Sequence, residues 1–225
     1  MKTISSLQAV KYQNGKPENV EDALTVEEVL QININYVPYS ITMRTPGADR
    51  ELIRGLLFTE EIFTERASSF TDLMEAKRNS EGIAQAINVL VEPDLIKKDF
   101  SKDRSTLTVA SCGLCGKRKL DDEHSCGEPL RSNAKLRIEA VRLLFDQMNE
   151  KQRTFKQSGG SHASAAFDAN NNLLAIYEDI GRHNAVDKVI GSLLENGNLE
   201  SAETILVSGR ISYEIVNKAY RAGIP

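Results

Sequence analysis

Two of the three cysteines in this 225-residue chain stand close together, in the segment Cys112-Gly113-Leu114-Cys115-Gly116. This spacing can bring both sulfur atoms together, and the glycines on both sides allow them to be exposed. An odd number of cysteines, two of them adjacent, fits reduced thiols better than a secreted disulfide framework. The segment therefore predicts thiol chemistry, redox chemistry or metal binding.

Metal binding and redox chemistry both remain open from the residues alone. A structural zinc ion takes four ligands, which could nominally be Cys112, Cys115, His124 and Cys126. A thioredoxin-like redox pair has the same C-x-x-C spacing, but these two cysteines lie in a Gly-rich stretch without a clear strand-to-helix context. A reversible disulfide between them is also possible as a resting state.

Three segments of the second half carry residues that could bind an anion. The segment 158–162 offers backbone amides beside His162, the segment 178–188 is dense in ionisable side chains, and Arg210 ends a Ser-Gly-Arg turn between a buried strand and a helix. Free helix N–H groups and a guanidinium suit a phosphate. Each segment also has a structural interpretation. His162 could be a structural histidine, the segment 178–188 a solvated helix start, and the Ser-Gly-Arg segment a plain connecting turn.

Within the segment 178–188, His183 and Asp187 are four positions apart on a predicted helix. That spacing could place them on one helix face, where the carboxylate would orient or charge the imidazole. For Asp187 and Lys188, a position on the helix surface is the preferred interpretation.

Composition limits the class of protein. The chain is 40% hydrophobic, which is enough for a core without disulfide staples, and its net charge of −4 argues against general nucleic-acid binding. No apolar run suits a signal peptide or a membrane span. We therefore expect a globular protein of the cytoplasm, with neither nucleic acid nor membrane as a partner.

Strands and a helix must position these residues in the first half. Alternating apolar residues predict strands over 32–37 resuming over 39–43, over 83–92 and over 105–110. Between them we predict a helix with Thr45 as N-cap and Pro46 at its first position, in which Gly55 permits close packing. The cysteines then follow the end of a strand.

The second half has a more regular pattern. It predicts a helix over 138–152, strands over 162–167 and 173–177 joined by a turn, a helix over 184–194, a strand over 204–207 and a helix over 212–221. This alternation predicts α/β layers. We expect an N-terminal part, 1–133, that ends in an exposed loop over about 99–133, and a second part, 134–225, whose pattern would continue beyond 225.

Five motifs together resemble one known family. They are Cys-Gly-Leu-Cys-Gly at 112–116, Thr-Pro-Gly at 45–47 leading into 55–60, Gly-Gly-Ser-His-Ala at 159–163, the charged stretch 178–188 and Ser-Gly-Arg-Ile-Ser at 208–212. Over about 32–225 the chain resembles the formate dehydrogenase accessory sulfurtransferase family (FdhD). The resemblance implies an α/β (α+β) fold with a cytidine-deaminase-like core and a smaller N-terminal α/β part.

The resemblance also implies a role for the cysteines. Family members relay persulfide sulfur from a cysteine desulfurase to the molybdenum (or tungsten) bis-pterin guanine dinucleotide cofactor of formate dehydrogenase, and a homodimer is implied as well. By the family pattern Cys112 carries the persulfide and Cys115 is its partner or a second relay thiol. The neighbouring cations Lys117, Arg118 and Lys119 could favour the thiolate that such a relay needs.

The resemblance makes the cofactor a bound substrate, with no tightly bound metal of the protein's own. The residues expected to bind it are His162, Arg182, His183, Asn184, Lys188 and Arg210. Deaminase activity is disfavoured, because the chain lacks His-x-Glu followed by Pro-Cys-x-x-Cys. The alternative function is a zinc-binding or structural Cys/His protein without sulfur transfer.

Overall fold

The computed structural model describes residues 3–66, 72–100, 128–130 and 136–225. Across these residues nine strands and five α-helices form the mixed α/β fold that the sequence predicts, with short 3₁₀ helices at Pro93–Leu95 and Leu199–Ser201. No helix in these ranges is long and apolar enough to cross a membrane. The predicted strand over 105–110 lies outside the described residues.

The strands form three sheets. The first is a ribbon of two antiparallel strands, β1 (Ile4–Gln13) and β2 (Lys16–Thr25). The second has the order β4-β3-β6-β5 and contains β3 (Glu28–Ile34), β4 (Val37–Arg44), β5 (Asp72–Arg78) and β6 (Ala84–Leu90). The third is antiparallel, has the order β8-β7-β9 and contains β7 (His162–Phe167), β8 (Leu173–Asp179) and β9 (Thr204–Val207).

The helices cover these sheets and create the core. They are α1 (Asp49–Thr59), α2 (Ile138–Lys151), α3 (Arg153–Ser158), α4 (Arg182–Glu195) and α5 (Tyr213–Ala222). Helix α1 packs on the four-stranded sheet, where Leu52 and Ile53 meet Ile32. Strand β7 has apolar neighbours in two clusters, because Ala166 packs with α4 whereas Phe167 packs with α2. Strand β7 is therefore held between two helices.

Helices α1 and α4 approach each other closely at two glycines. A Cβ atom at Gly55 would lie 1.9 Å from the backbone oxygen of Asp187, and one at Gly191 would lie 1.9 Å from the backbone oxygen of Glu51. The prediction that Gly55 permits close packing is thus confirmed. This contact brings the first half of the chain against the helix that carries most of the charged segment 178–188.

Two predicted boundaries in the first half are wrong. The chain turns at Asn35 and Tyr36, both with positive φ (48° and 68°), so the predicted strand over 32–37 is split between β3 and β4. Helix α1 begins at Asp49 and its N-cap is Ala48, not Thr45. In the second half, by contrast, the strands over 162–167 and 204–207 have the predicted bounds. The division of the chain at 133 stays a prediction.

Candidate functional site

A cleft of about 570 Å³ lies between the start of β7 and helices α2 and α3. Phe145, Met148 and Phe155 form its apolar wall. The polar part of its lining consists of Asn149, Gln152, Ser208 and residues 159–162, which we call the 159–162 wall. The start of β7 and the end of β9 are tied by a hydrogen bond from the backbone N–H of Ala163 to Ser208 Oγ, 2.8 Å. A cleft lined by both aromatic side chains and polar groups suits a planar polar ring such as a nucleobase.

Three cationic or ionisable side chains stand beside this cleft at its His162 end. A Cβ atom at Gly209 would lie 3.1 Å from His162 Nδ1 and 3.5 Å from Arg182 Cβ, so these residues surround the Ser-Gly-Arg turn. Burial, together with the positive charges of Arg182 and Arg210, lowers the pKa of His162. A pKa below the ordinary value favours the neutral form of this imidazole near pH 7. We call His162, Arg182 and Arg210 the cationic mouth.

The cationic mouth also lies at the beginning of a long helix. Arg182 is the first residue of α4, which runs for 14 residues. The N-terminus of such a helix carries partial positive charge and favours an anion. Because guanidinium groups bind phosphate oxygens with charge-assisted hydrogen bonds, the mouth can hold a phosphate group at the edge of the aromatic cleft.

His183 lies behind the mouth and is only 9% exposed. Its Nε2 atom is 3.2 Å from Ser212 Oγ. Burial and the charges of Arg182 and Lys218 lower the pKa of His183 to about 4. The predicted pairing of His183 with Asp187 is wrong, because the Asp187 carboxylate accepts its hydrogen bonds from Lys218 and Thr59.

Asp179, the last residue of β8, is fully buried and binds groups from both halves of the chain. Its Oδ1 atom accepts hydrogen bonds from the backbone N–H of Gly181 (2.8 Å) and from Asn184 Nδ2 (3.0 Å). Its Oδ2 atom accepts from the backbone N–H of Thr45 (3.1 Å) and lies 2.7 Å from Lys188 Nζ. These four donors offset the cost of burying the carboxylate.

Thr45 completes this junction, which explains why it does not cap α1. Its Oγ1 atom accepts a hydrogen bond from the backbone N–H of Ile180 (3.0 Å), and its backbone oxygen accepts one from Lys188 Nζ (2.9 Å). Asn184 Nδ2 donates similarly to the backbone oxygen of Met43 (2.8 Å). The polar groups of Thr45 are thus engaged with the second half of the chain.

A second buried ion pair lies beneath α4. Lys218 Nζ is 2.7 Å from Asp187 Oδ1 and donates to Thr59 Oγ1 at 2.9 Å, while Thr59 Oγ1 donates to Asp187 at 3.0 Å. Burial raises the pKa of Asp187, and the Lys218 charge opposes that rise. Asp187 and Lys188 are each only 2% exposed. The interpretation of both as helix-surface residues is wrong, because α1 and α5 cover this part of α4.

The six residues expected to bind a cofactor therefore fall into two sets. The structure brings His162, Arg182, His183 and Arg210 together around the Ser-Gly-Arg turn. Asn184 and Lys188 are buried against the first half of the chain, where they bind Met43 and Thr45. Cofactor contact by any of the six stays a prediction.

All three cysteines of the chain and His124 lie outside the described residues. These are the four candidate zinc ligands: Cys112, Cys115, His124 and Cys126. Among the residues with described positions, no group of three or more His, Cys, Asp or Glu side chains could hold a metal ion. The sequence missed two components of the site. Phe155 lies on α3, whose six residues show no periodic pattern, and the helical spacing of Phe145 and Met148 predicts only an apolar helix face.

Comparisons with known proteins agree with this mixed α/β architecture. A crystal structure from Desulfotalea psychrophila, described as that of a formate dehydrogenase accessory protein, superposes with a TM-score of 0.72 at 20% identity, covering 100% of this chain and 82% of that one. At this identity the superposition shows the fold alone.

Sequence comparison shows the family. Residues 25–225 match the FdhD/NarQ family. The chain is 38% identical over 212 residues to the sulfur carrier protein FdhD of Mycobacterium tuberculosis, covering 91% of this chain and 77% of the relative. It is 40% identical over 223 residues to the sulfur carrier protein FdhD of Sulfolobus acidocaldarius, covering 99% and 82%. The chain belongs to the FdhD/NarQ family.

Proposed function

We propose that this protein is a sulfur carrier, as its relatives are named, and that it relays persulfide sulfur from a cysteine desulfurase to the molybdenum (or tungsten) bis-pterin guanine dinucleotide cofactor of formate dehydrogenase. The observation that carries the substrate assignment is the cleft with its cationic mouth. An aromatic wall lies next to two guanidinium groups, and a guanine nucleotide needs both kinds of contact.

The residues of the cleft have distinct parts in this proposal. Phe145 and Phe155 would contact the guanine ring, and Arg182 and Arg210 would bind the pyrophosphate oxygens. His162 would contribute a neutral imidazole that donates or accepts one hydrogen bond. Asn184 and Lys188 would hold the α4 N-terminus in place without touching the substrate, because both are buried against the first half.

The loading step proposed for Cys112 is a thiol–persulfide exchange, which needs no oxidant or reductant. The Cys112 thiolate attacks the outer sulfur of the persulfide on the desulfurase, so that a new S–S bond forms on Cys112 and the desulfurase cysteine leaves as a thiolate. A thiolate with a lowered pKa is the reactive form. Cys115 would then be the partner thiol or the second carrier of the sulfur.

Mass spectrometry tests this proposal. The full chain is incubated with a cysteine desulfurase and cysteine, and we expect a mass gain of one sulfur atom that is absent in Cys112→Ala and retained in Cys126→Ser. No adduct on either Cys112 or Cys115 would contradict the relay. Near-stoichiometric zinc that disappears in Cys126→Ser would favour the zinc-binding alternative instead.

Three further parts of the proposal concern the cell. We expect the protein to act in the cytoplasm, as a homodimer, and to be required for formate dehydrogenase activity. Light scattering on the purified protein measures the oligomeric state, and dehydrogenase activity in a strain that carries only Cys112→Ala measures the requirement. Full activity in that strain would contradict the role of this cysteine.

A further inference from the structure

Glu178, the residue before Asp179 on β8, uses both carboxylate oxygens to hold one rim of the cleft. Its Oε1 atom accepts hydrogen bonds from the backbone N–H of Phe155 (2.7 Å) and from Ser161 Oγ (2.8 Å). Its Oε2 atom accepts from the backbone N–H of Thr154 (2.8 Å). One side chain therefore binds both α3 and the residue that precedes His162.

The end of α3 is held by the β1–β2 ribbon, where Ser158 Oγ lies 2.6 Å from Thr25 Oγ1, whereas its beginning is held by Glu178. Helix α3 has only six residues, too few to be stable in isolation. A carboxylate that accepts hydrogen bonds from N–H groups of its first turn satisfies donors that have no partner within the helix. The chain then passes through Gly159 and Gly160, and Ser158 Oγ accepts the N–H of Gly160 at 3.1 Å. Without Glu178, Phe155 and Ser161 would lose their common anchor.

We propose that Glu178 is a positioning residue that fixes Phe155 and the 159–162 wall at the separation a guanine ring requires. This inference rests on the proposed function, since it concerns the same cleft. Glu178 is not assigned a direct contact with the ligand, because three protein donors already occupy its oxygens and its charge would repel a phosphate. Its contribution is the shape of the site before the ligand arrives.

The substitution Glu178→Gln tests this arrangement with little change in volume. An amide has one acceptor oxygen, and its NH₂ group would face a backbone N–H, so at least one hydrogen bond is lost. The same hairpin offers a matched control at its other end. Asp168 also accepts three hydrogen bonds, from the backbone N–H groups of Asn170 and Asn172 and from Asn172 Nδ2, and it does not line the cleft. Asp168→Asn therefore changes a carboxylate with the same number of donors on the same hairpin but leaves the rim intact.

The experiment measures GDP affinity by calorimetry and the hydrogen exchange of a peptide over 152–162 in the full chain. For Glu178→Gln we expect roughly tenfold weaker GDP binding, which corresponds to one lost charge-assisted hydrogen bond, and faster exchange at Thr154 and Phe155. Asp168→Asn should match the wild type in both. Ser161→Ala, which removes one of the three bonds, should show a smaller change in the same direction and serves if Glu178→Gln does not fold.

Two results would overturn the inference, and they differ from failure of the proposed function. If the wild type binds GDP and Glu178→Gln binds it within twofold, Glu178 does not shape the site. If exchange over 152–162 is unchanged in Glu178→Gln, the carboxylate does not hold the rim. If the wild type itself fails to bind GDP, the substrate assignment of the cleft falls together with this inference, whereas sulfur loading of Cys112 is judged independently by mass spectrometry.

Discussion

The charged residues in and around segment 178–188 divide into a buried junction and a more accessible mouth. In the junction, Asp179 pairs with Lys188 and Asp187 pairs with Lys218, with the two aspartates and Lys188 at most 2% exposed. In the mouth, Arg210 is exposed and Arg182 is half-buried, and both lie beside a cleft. Both groups contain residues of the same short segment, 178–188: Asp179, Asp187 and Lys188 in the junction and Arg182 in the mouth.

The two groups differ in the hydrogen-bond partners that are available to each charged side chain. A buried carboxylate must find donors within the protein, and those of Asp179 and Asp187 come from residues distant in sequence, such as Thr45 and Thr59. An exposed guanidinium keeps its hydration and can exchange it for a ligand oxygen. We therefore expect substitutions in the junction to change stability and substitutions in the mouth to change binding.

The largest expected effect is on stability, from Asp187→Ala. This change leaves the Lys218 charge buried without its partner, and breaking such a pair costs about 3–5 kcal/mol of unfolding free energy. Urea unfolding measures it. The double variant Asp187→Leu with Lys218→Met removes both charges and should regain most of the loss. A single-variant loss below about 1 kcal/mol would mean that the pair behaves like a surface salt bridge.

The second-largest effect on stability is expected for Gly55→Ala, where the sign of the change in unfolding free energy separates two explanations. Helix propensity alone predicts a gain of about 1 kcal/mol when Ala replaces Gly in a helix. The new Cβ atom, however, would lie 1.9 Å from the backbone oxygen of Asp187, so the backbones of α1 and α4 must separate. We therefore expect a loss of about 1–3 kcal/mol or more in unfolding free energy. Gly191→Ala should behave alike. A stabilised Gly55→Ala protein would contradict the close helix contact.

The predicted effect of His183 on stability is absent at neutral pH and develops only in acid. Its pKa is about 4 in the folded protein, against about 6.5 in an unfolded chain. The unfolded state therefore takes up the proton first, so stability is fully present above about pH 6.5 and falls as the pH decreases toward 4. We expect His183→Gln to reduce this fall, measured as unfolding free energy at several pH values. An identical pH dependence in the variant would exclude His183 as a contributor.

Local patterns were enough to predict most of the second half. Strands β7 and β9 are short apolar runs between turn residues, and α2, α4 and α5 show helical spacing of apolar residues, so their existence follows from the sequence alone. The ribbon of β1 and β2 was missed because its strands are largely exposed on both faces and show no alternation. Helix α3 was missed because six residues are too few for a periodic pattern.

The site was only partly predictable for a physical reason. His162, Arg182 and Arg210 were recognised by residue type and by their position at strand and helix ends, and the structure brings them together. Burial of Lys188 depends on Asp179 and on Thr45, which is more than a hundred residues away in sequence. No local pattern reports such a partner, so buried and exposed charges of one segment look alike in the sequence.

The most direct test of the division between junction and mouth is the affinity for GDP of the double variant Arg182→Ala with Arg210→Ala, measured by calorimetry at two salt concentrations. Two lost charge-assisted hydrogen bonds, together about 3 kcal/mol, predict a roughly hundredfold weaker complex with a smaller salt dependence. Because Arg182 is half-buried, the double variant should lose some unfolding free energy, but less than the loss of about 3–5 kcal/mol expected for the junction. Arg78→Ala, an exposed arginine on β5, is the control and should bind like the wild type. Affinity of the double variant within twofold of the wild type would contradict the cationic mouth as the phosphate site.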